Sequence, residues 1–386
     1  MTQPLEPAAV LPGFYGVIPA GGVGSRLWPL SRKTSPKFLH DVAGHGSTLL
    51  RATWDRLVPL CGDDRIVVVT GEAHGDEVRA QLPELATANV VLESEGRDSS
   101  AAIGLAAAIL RRRDPDAVIG SFAADHLIGS QRRFQASVRE AVAAARGGYI
   151  VTIGIQPHEP STAFGYIRAG APVAIPGAPS ARTVESFVEK PDARTARAYL
   201  ASGEYLWNAG MFFARADRLL EELAANRPAL AAGIEEIADA WEGPDRDAVT
   251  ARVWPTLEKI AIDYTVAEPA AAEGRLAVIP GYFQWDDVGD FKSVGRLRRA
   301  DEVADAQRSG SPVPAVTVMG DAGRVVAHDA TGLVVRGTDR VIAIAGLDDV
   351  VVVDTPDAVL ITTAKHAQSV KDVVAALKER GLDGVL

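Results

Sequence analysis

Phe14-Tyr15-Gly16-Val17-Ile18-Pro19 runs into Ala20-Gly21-Gly22-Val23-Gly24-Ser25-Arg26-Leu27-Trp28-Pro29-Leu30-Ser31, and Pro36-Lys37-Phe38 follows shortly after. The first run is short, apolar and uncharged, which predicts a strand buried in a sheet. A glycine-rich turn directly after such a strand lets main-chain amides approach a phosphate with no Cβ in the way. No Gly-Lys-Ser/Thr follows, so the loop is not a Walker A motif, and Leu27 stands where the dinucleotide fingerprint needs its third glycine. The loop carries Arg26, a bidentate donor, and Lys37, a point cation, instead. Such a pair suits a polyphosphate.

Outward from this loop, strand-like and helical patterns alternate. Arg65–Thr70, Asn89–Leu92, Ala117–Phe122 and Tyr149–Gly154 read as buried strands, and Ser47–Leu60, Ala73–Leu82, Ser99–Arg113 and Gln131–Arg146 as helices. The alternation predicts a mostly parallel sheet with helices on both faces and ligands beyond the carboxyl ends of the strands. Further strands are expected at Gly165–Arg168, Thr183–Val188, Tyr205–Phe213 and Leu276–Ile279, and helices at Asp217–Ala225 and Ala229–Trp241. Gly, Ser and Pro cluster at Ser309–Pro314, which divides the chain into domains 1–308 and 309–386. Beyond it, short apolar runs recur at Val316–Val318, Arg324–Ala327, Gly332–Val335, Val341–Ile344, Val350–Val353 and Ala358–Thr362. They predict a small all-β unit of β-helix or solenoid type, with Lys365–Arg380 as one closing helix.

Composition narrows the class. The 386 residues suit two domains, and 47% hydrophobic with 23% charged residues is globular composition. A formal charge of −10 gives no general attraction to a phosphate backbone, so nucleic acid is not expected as a partner. The one cysteine, Cys61, excludes an intramolecular disulfide and a cysteine zinc site, and reads as a buried apolar residue. The best apolar run, Ala101–Leu110, stops at Arg111-Arg112-Arg113, too short for a membrane span. The opening MTQPLEPAAVLPG lacks the marks of a signal peptide, and a cytoplasmic protein is expected.

Other strings fall at element ends. Glu93-Ser94-Glu95-Gly96-Arg97-Asp98-Ser99-Ser100 opens a helix, where Asp98 or Ser99 suits an N-cap. Ala123-Ala124-Asp125-His126 puts a carboxylate at a strand's carboxyl end, where Mg²⁺ or a turn cap would use it, whereas His126 reads as structural. Glu189-Lys190-Pro191 ends a strand, and neighbours on a strand point to opposite sides and need not pair. Phe164-Gly165-Tyr166 reads as a hairpin glycine, Asn208 as a turn residue, Asp263 as supporting, and Trp285-Asp286-Asp287-Val288-Gly289 as an acidic loop.

Taken together, GGVGSRLWPLSRKTSPKF and these strings resemble the sugar-1-phosphate nucleotidyltransferases, in the form used by mannose-1-phosphate guanylyltransferases, over most of the chain. The resemblance implies an α/β fold. It would have a Rossmann-like mixed-sheet nucleotidyltransferase domain (GT-A-like), a small C-terminal β unit (a β-helix stub) and a closing helix. It implies that Ala20, Gly21, Gly22, Gly24, Ser25 and Arg26 bind the nucleotide and that Gly96, Arg97 and Asp98 favour guanine. Gly165, Tyr166, Glu189, Lys190 and Asn208 would bind the sugar phosphate, and Asp125 and Asp287 would hold Mg²⁺. Arg26, Lys37, Asp125 and Lys190 would be catalytic. Ser94 and Ala123 depart from the family, which has proline at both places.

The reaction so implied joins GTP and α-D-mannose 1-phosphate into GDP-mannose and pyrophosphate. The attacking phosphate is already ionised at pH 7, which accounts for the lack of a Ser, His or Cys constellation. Two alternatives stay open: another base or hexose, and a silent nucleotide-sugar-binding paralogue, although that would be expected to lose Arg26, Lys37 or a metal carboxylate. The expected partners are GTP, mannose 1-phosphate and a second copy of the chain as a homodimer, with neither nucleic acid nor membrane. No second activity is expected after the closing helix.

Overall fold

The computed structural model describes residues 9–386; residues 1–8, part of the stretch read for a leader, lie outside the described residues. Two compact units emerge, and the chain passes between them repeatedly. One holds the residues up to Gly21, Thr53–Ala124 and Ile128–Trp285; the other holds Gly22–Ala52, Asp125–Leu127 and Asp286–Leu386. The glycine-rich loop after Gly21 is therefore grouped with the carboxy-terminal region.

In chain order the first strands are β1 (Phe14–Ala20), β2 (Ile66–Gly71), β3 (Val90–Glu93), β4 (Val118–Ser121) and the two-residue β5 (Leu127–Ile128). After them come β6 (Ile150–Ile155), β7 (Tyr166–Pro172), β8 (Arg182–Val188), β9 (Tyr205–Arg215), β10 (Leu276–Gly281) and the two-residue β11 (Trp285–Asp286). A nine-stranded sheet runs β3-β2-β1-β4-β9-β6-β10-β8-β7. The β3-β2-β1-β4 half is parallel, as the alternation predicts. The other half is mixed: β10 pairs parallel with β6, whereas β9 pairs antiparallel with both β4 and β6, and β7 with β8. The sheet is therefore mixed, as the resemblance implies. Strands β7 and β8 are joined by a short turn rather than a crossover helix, and such neighbours can only run antiparallel.

The helices of this part are α1 (Leu49–Cys61), α2 (Gly75–Gln81), α3 (Asp98–Arg113), α4 (Gln131–Arg146), α5 (Ala193–Ser202), α6 (Ala216–Asn226), α7 (Pro228–Ala240), α8 (Arg246–Val253) and α9 (Glu268–Ala272). The apolar run read in Ala101–Leu110 is the middle of α3, buried on every side. A helix apolar all round belongs in a core. Its small residues let α6 and α7 close in: a Cβ on Gly104 would lie 2.7 Å from Ile234 Cδ1 and 3.0 Å from Leu223 Cδ1. Cys61 is buried, as expected, and burial pushes its thiol up to about 12. Among the described residues no helix is long and apolar enough to cross a membrane.

In the second unit, α10 (Phe291–Ser309) precedes the Ser309–Pro314 loop. Periodicity missed α10 because only Phe291 and Val294 of it are buried; its stops are chemical, Asp290 accepting from the Ser293 amide at 3.0 Å and Gly310 at φ 74°. The strands that follow are β12 (Val316–Met319), β13 (Val325–His328), β14 (Gly332–Arg336), β15 (Ile342–Ala345), β16 (Val350–Asp354) and β17 (Val359–Thr363). Sheet β12-β14-β16-β17 alternates along the chain with the parallel pair β13-β15, the winding of a short β-helix. Its strands are parallel except β17, which runs against β16. The closing helix is not one piece. Ala364–Ser369 is 3₁₀ and only Val370–Glu379 (α11) is α-helical. The buried Ala367 and Val370 stand three apart, the spacing that a 3₁₀ turn stacks on one line.

Gly332 holds the winding together. It sits at φ 143°, and a Cβ there would fall 1.9 Å from the Val350 carbonyl oxygen. Gly332→Ala should destabilise by on the order of 2–3 kcal/mol and lower the melting temperature by several degrees in calorimetry. Gly384→Ala, where no atom lies within 4 Å of the new methyl, should change it by less than a degree or so.

Candidate functional site

Residues named from the sequence gather into clusters, each within one unit. In the second unit, β4's downstream residue Asp125, the segment after β11 and the end of the glycine-rich loop meet at Lys37. This lysine is 5% exposed. Its Nζ lies 2.6 Å from Asp125 Oδ2, and donates to the Asp287 carbonyl at 2.6 Å and the Val288 carbonyl at 3.4 Å. All three ammonium donors go to protein oxygens, so Lys37 first serves to fix Asp125 beside the Asp287 segment. Gly24 makes this approach available: it has φ 74°, and a Cβ would lie 2.6 Å from Lys37 Cβ.

The two carboxyls differ in charge state. Burial pushes Asp125 up, but Lys37 and His126 outweigh it and hold Asp125 below the ordinary range. Burial pushes Asp287 up to about 6, with Lys37 opposing and Asp286 and Asp125 adding to the rise. The Lys37 charge acts on both carboxyls, and that of Asp125 is felt at Asp287. Two hard carboxylate donors with an excess of negative charge fit Mg²⁺, which takes its remaining ligands from water and phosphate. No group of three or more His, Cys, Asp or Glu placed to hold a metal occurs among the described residues. Arg26 lies on a 3₁₀ turn (Ser25–Leu27) and makes no hydrogen bond or ion pair among the described residues.

In the first unit, Gly165, Glu189, Lys190 and Asn208 do come together. Glu189 and Lys190 pair at 2.6 Å, against the expectation that strand neighbours diverge. The strand ends at Val188 and Lys190 takes φ 46°, which turns both side chains to one side. Glu189 is 5% exposed and its Oε2 has no partner. A Cβ on Gly165 would lie 2.5 Å from that oxygen, so only glycine leaves it room. Tyr166 is buried, its hydroxyl donating to the Ser161 carbonyl at 2.9 Å.

Asn208 is oriented from both ends. Its Oδ1 accepts from Thr152 Oγ1 at 2.8 Å, and its Nδ2 donates to Asp263 Oδ1 at 2.8 Å. Burial and the charge of Glu189 push Asp263 up to about 7. Thr152 escaped the sequence reading, since a lone threonine inside a strand carries no signal. Asp263, expected to be a supporting residue, accepts from Asn208 and lies within reach of the Glu189 charge.

The helix-opening string behaves differently from its reading. Neither Asp98 nor Ser99 caps α3: Arg97 is the cap residue, and Asp98 takes φ 66° with its Oδ1 accepting from the Ser99 amide at 2.7 Å. Ser99 Oγ instead accepts from the Ile262 amide at 2.9 Å. The Arg97 guanidinium donates to the Leu257 carbonyl at 3.1 Å and binds Glu95 and the Pro255 carbonyl. It is tied into the protein, while Gly96 is open. Glu93, not singled out from the sequence, is buried with Oε1 unpartnered, and burial and Asp98 push it up to about 7. Its Oε2 is 3.8 Å from where a Gly21 Cβ would stand. The rule that found Asp125, a carboxylate at the carboxyl end of a strand, would have found it.

Comparison with known proteins identifies the two parts of the chain. The nucleotidyl transferase family model matches residues 15–302, and the MannoseP isomerase/GMP-like beta-helix domain model matches residues 323–377. The xanthan biosynthesis protein XanB of Xanthomonas campestris pv. campestris (strain B100) is 39% identical over 371 residues, covering 95% of this chain and 73% of that protein. The mannose-1-phosphate guanylyltransferase of Escherichia coli (strain K12) is 38% identical over 377 residues, covering 95% and 74%. The crystal structure of mannose-1-phosphate geranyltransferase from Thermus thermophilus superposes with a TM-score of 0.78 at 30% identity, covering 95% of this chain and 99% of that one. The loop, the mixed sheet and the β-helix thus have one source: the chain belongs to the nucleotidyl transferase family, among the mannose-1-phosphate guanylyltransferases.

Proposed function

We propose that this enzyme transfers GMP from GTP to α-D-mannose 1-phosphate, releasing pyrophosphate and forming GDP-mannose, with Mg²⁺ as its ion. The observation that carries the reading is Lys37, buried and saturated between Asp125 and the Asp287 segment beside a glycine-rich loop whose Arg26 is uncommitted. Support for a sugar phosphate comes from Glu189, whose unpartnered oxygen suits a hydroxyl donor, beside the Lys190 ammonium. The relatives' names supply the base and the sugar. The division into a catalytic domain 1–308 and a β-helix domain 309–386, a homodimer and a cytoplasmic location belong to the same proposal.

In the reaction a phosphate oxygen of mannose 1-phosphate attacks the α-phosphorus, and the bond to the bridging oxygen breaks as pyrophosphate leaves. The attacking group needs no general base, since its second pKa is near 6. What the chain supplies is position and charge. Main-chain amides at Gly21, Gly22 and Gly24, with Ala20 and Ser25 adjoining, receive the nucleotide phosphates, and Arg26 meets the charge of the departing pyrophosphate. Lys190 holds the sugar phosphate, with Gly165, Tyr166, Glu189 and Asn208 around the ring. Asp125 and Asp287 would hold the Mg²⁺, which supplies positive charge at the α-phosphate when bound. Gly96, Arg97 and Asp98 shape the base pocket, Arg97 by fixing the Pro255–Leu257 backbone.

Pyrophosphate release measured with four nucleoside triphosphates against mannose, glucose and galactose 1-phosphates tests the reading. GTP with mannose 1-phosphate should exceed UTP or dTTP in kcat/KM by well over about tenfold, because a mismatched base leaves buried polar groups unpaired. Equal rates with dTTP would overturn the base assignment.

Asp125→Asn and Asp287→Asn should each leave the fold intact and lower kcat by roughly 10²-fold or more. Because they act as one unit, the double variant should be little worse than the worse single one in the same assay.

Asp263 gives a pH signature. Its folded value of about 7 lies above the ordinary 3.8, so the folded chain holds a proton that the unfolded chain has lost between those limits. The sign follows: stability falls as pH rises from about 4 to about 7. Asp263→Asn should therefore raise the melting temperature at pH 8, by the equivalent of about 1–2 kcal/mol, and the gain should vanish near pH 4. A gain independent of pH would show that the carboxyl is ionised without cost.

A further inference from the structure

The glycine-rich loop contains two arginines, Arg26 and Arg32, of which the family resemblance gives a role only to Arg26. The structure separates them by their hydrogen bonds. A guanidinium has five N–H donors, and all five of Arg32 are used. Nε donates to the Pro29 carbonyl at 3.1 Å. Nη1 donates to Asp357 Oδ2 at 3.0 Å and to the Val385 carbonyl at 2.7 Å. Nη2 donates to Asp357 Oδ1 at 2.6 Å and to Thr355 Oγ1 at 3.3 Å. Nothing is left for a phosphate.

The Val385 carbonyl is equally saturated. Its second donor is the Trp28 indole N–H at 2.6 Å, from the same loop. Trp28 is 6% exposed and packs in one apolar cluster with Leu27, Val370, Leu377, Val385 and Leu386. The carboxy-terminal turn that presents this carbonyl is itself fixed, since the Leu382 amide donates to the Leu377 carbonyl at 3.0 Å and the Val385 amide to the Leu382 carbonyl at 3.3 Å. The loop's own backbone bonds, such as Leu27 amide to Gly24 carbonyl at 2.9 Å, Ser31 amide to Leu27 carbonyl at 3.0 Å and Lys37 amide to Val23 carbonyl at 3.2 Å, shape it internally, and the bonds of Trp28 and Arg32 tie it to the Val385 carbonyl.

We infer that Trp28 and Arg32 are positioning residues that clasp the carboxy-terminal segment Leu382–Leu386, and that this segment sets the geometry of the loop bearing Arg26 and Lys37. The inference rests on the proposed role of that loop in binding the nucleotide phosphates. Arg26 works by geometry, so a loop released at Trp28 and Arg32 keeps its charges and loses their placement. The effect should fall on the nucleotide and spare the sugar phosphate, whose residues lie in the other unit.

The test compares the full chain, a chain lacking Leu382–Leu386, and Trp28→Phe, which keeps an aromatic ring and removes the N–H. Hydrogen exchange of peptides covering residues 22–36 and steady-state kinetics are read together. In the shortened chain, exchange in 22–36 should quicken about tenfold or more, reporting local opening. kcat/KM for GTP should fall about tenfold, with KM for mannose 1-phosphate within about twofold of the full chain. Trp28→Phe should move both readouts in the same direction by about threefold. Should the shortened chain not fold, Trp28→Phe decides. Unchanged protection of 22–36, or a lower melting temperature with unchanged kinetic constants, would overturn the inference. A full chain inactive with GTP would instead overturn the proposed function, and the exchange measurement would still report on the clasp.

Discussion

The arrangement depends on one buried lysine. Lys37 brings a charge into an almost dry place, which is costly unless every donor finds an acceptor. Asp125 and the carbonyls of Asp287 and Val288 meet that demand. Three segments distant in sequence are thereby held by one ammonium group, and two of them contribute a carboxyl. Lysine suits the task better than arginine here, because a compact cation on a flexible stem reaches three oxygens that no planar fork would match. Gly24 is then forced, since any Cβ would meet the lysine stem.

The first unit solves a related problem by other means. There an amide, not a cation, is the fixed centre. Asn208 is anchored by Thr152 on one side and Asp263 on the other, so its orientation is decided before any ligand arrives. Glu189 is left with one oxygen satisfied by Lys190 and one with no partner. A buried unpartnered carboxylate oxygen is a destabilising feature, and such local costs persist where a ligand repays them.

Much of this was legible in the sequence. Strands β1 to β4 and helix α4 are where periodicity puts them, because buried parallel strands and an amphipathic helix leave strong patterns. Asp125 and Asp287 were found from strand ends and a family string, and the structure brings both to Lys37. What escaped did so for physical reasons. Helix α10 is held by its caps more than by an apolar stripe. The antiparallel β7–β8 pair follows from connection length, and the place of β9 between β4 and β6 from long-range pairing; periodicity records neither. The engagement of Arg97 with the Pro255 and Leu257 carbonyls, and of Arg32 with Val385, depends on contacts across more than a hundred residues. A side chain's freedom to bind a ligand is set by such contacts, and they separate Arg26 from Arg32.

The reversal at β17 has a consequence for the winding. A stack of parallel coils ends in a strand whose free edge can template another coil, and a chain built only of such coils could add copies end to end without limit. Strand β17 runs against β16, with Asp354 opposite Val359 and Val350 opposite Thr363. A further coil laid in line with β12, β14 and β16 would have to run against β17, so within this sheet the parallel winding ends at β16. The last strand closes the succession of parallel coils with one antiparallel pairing.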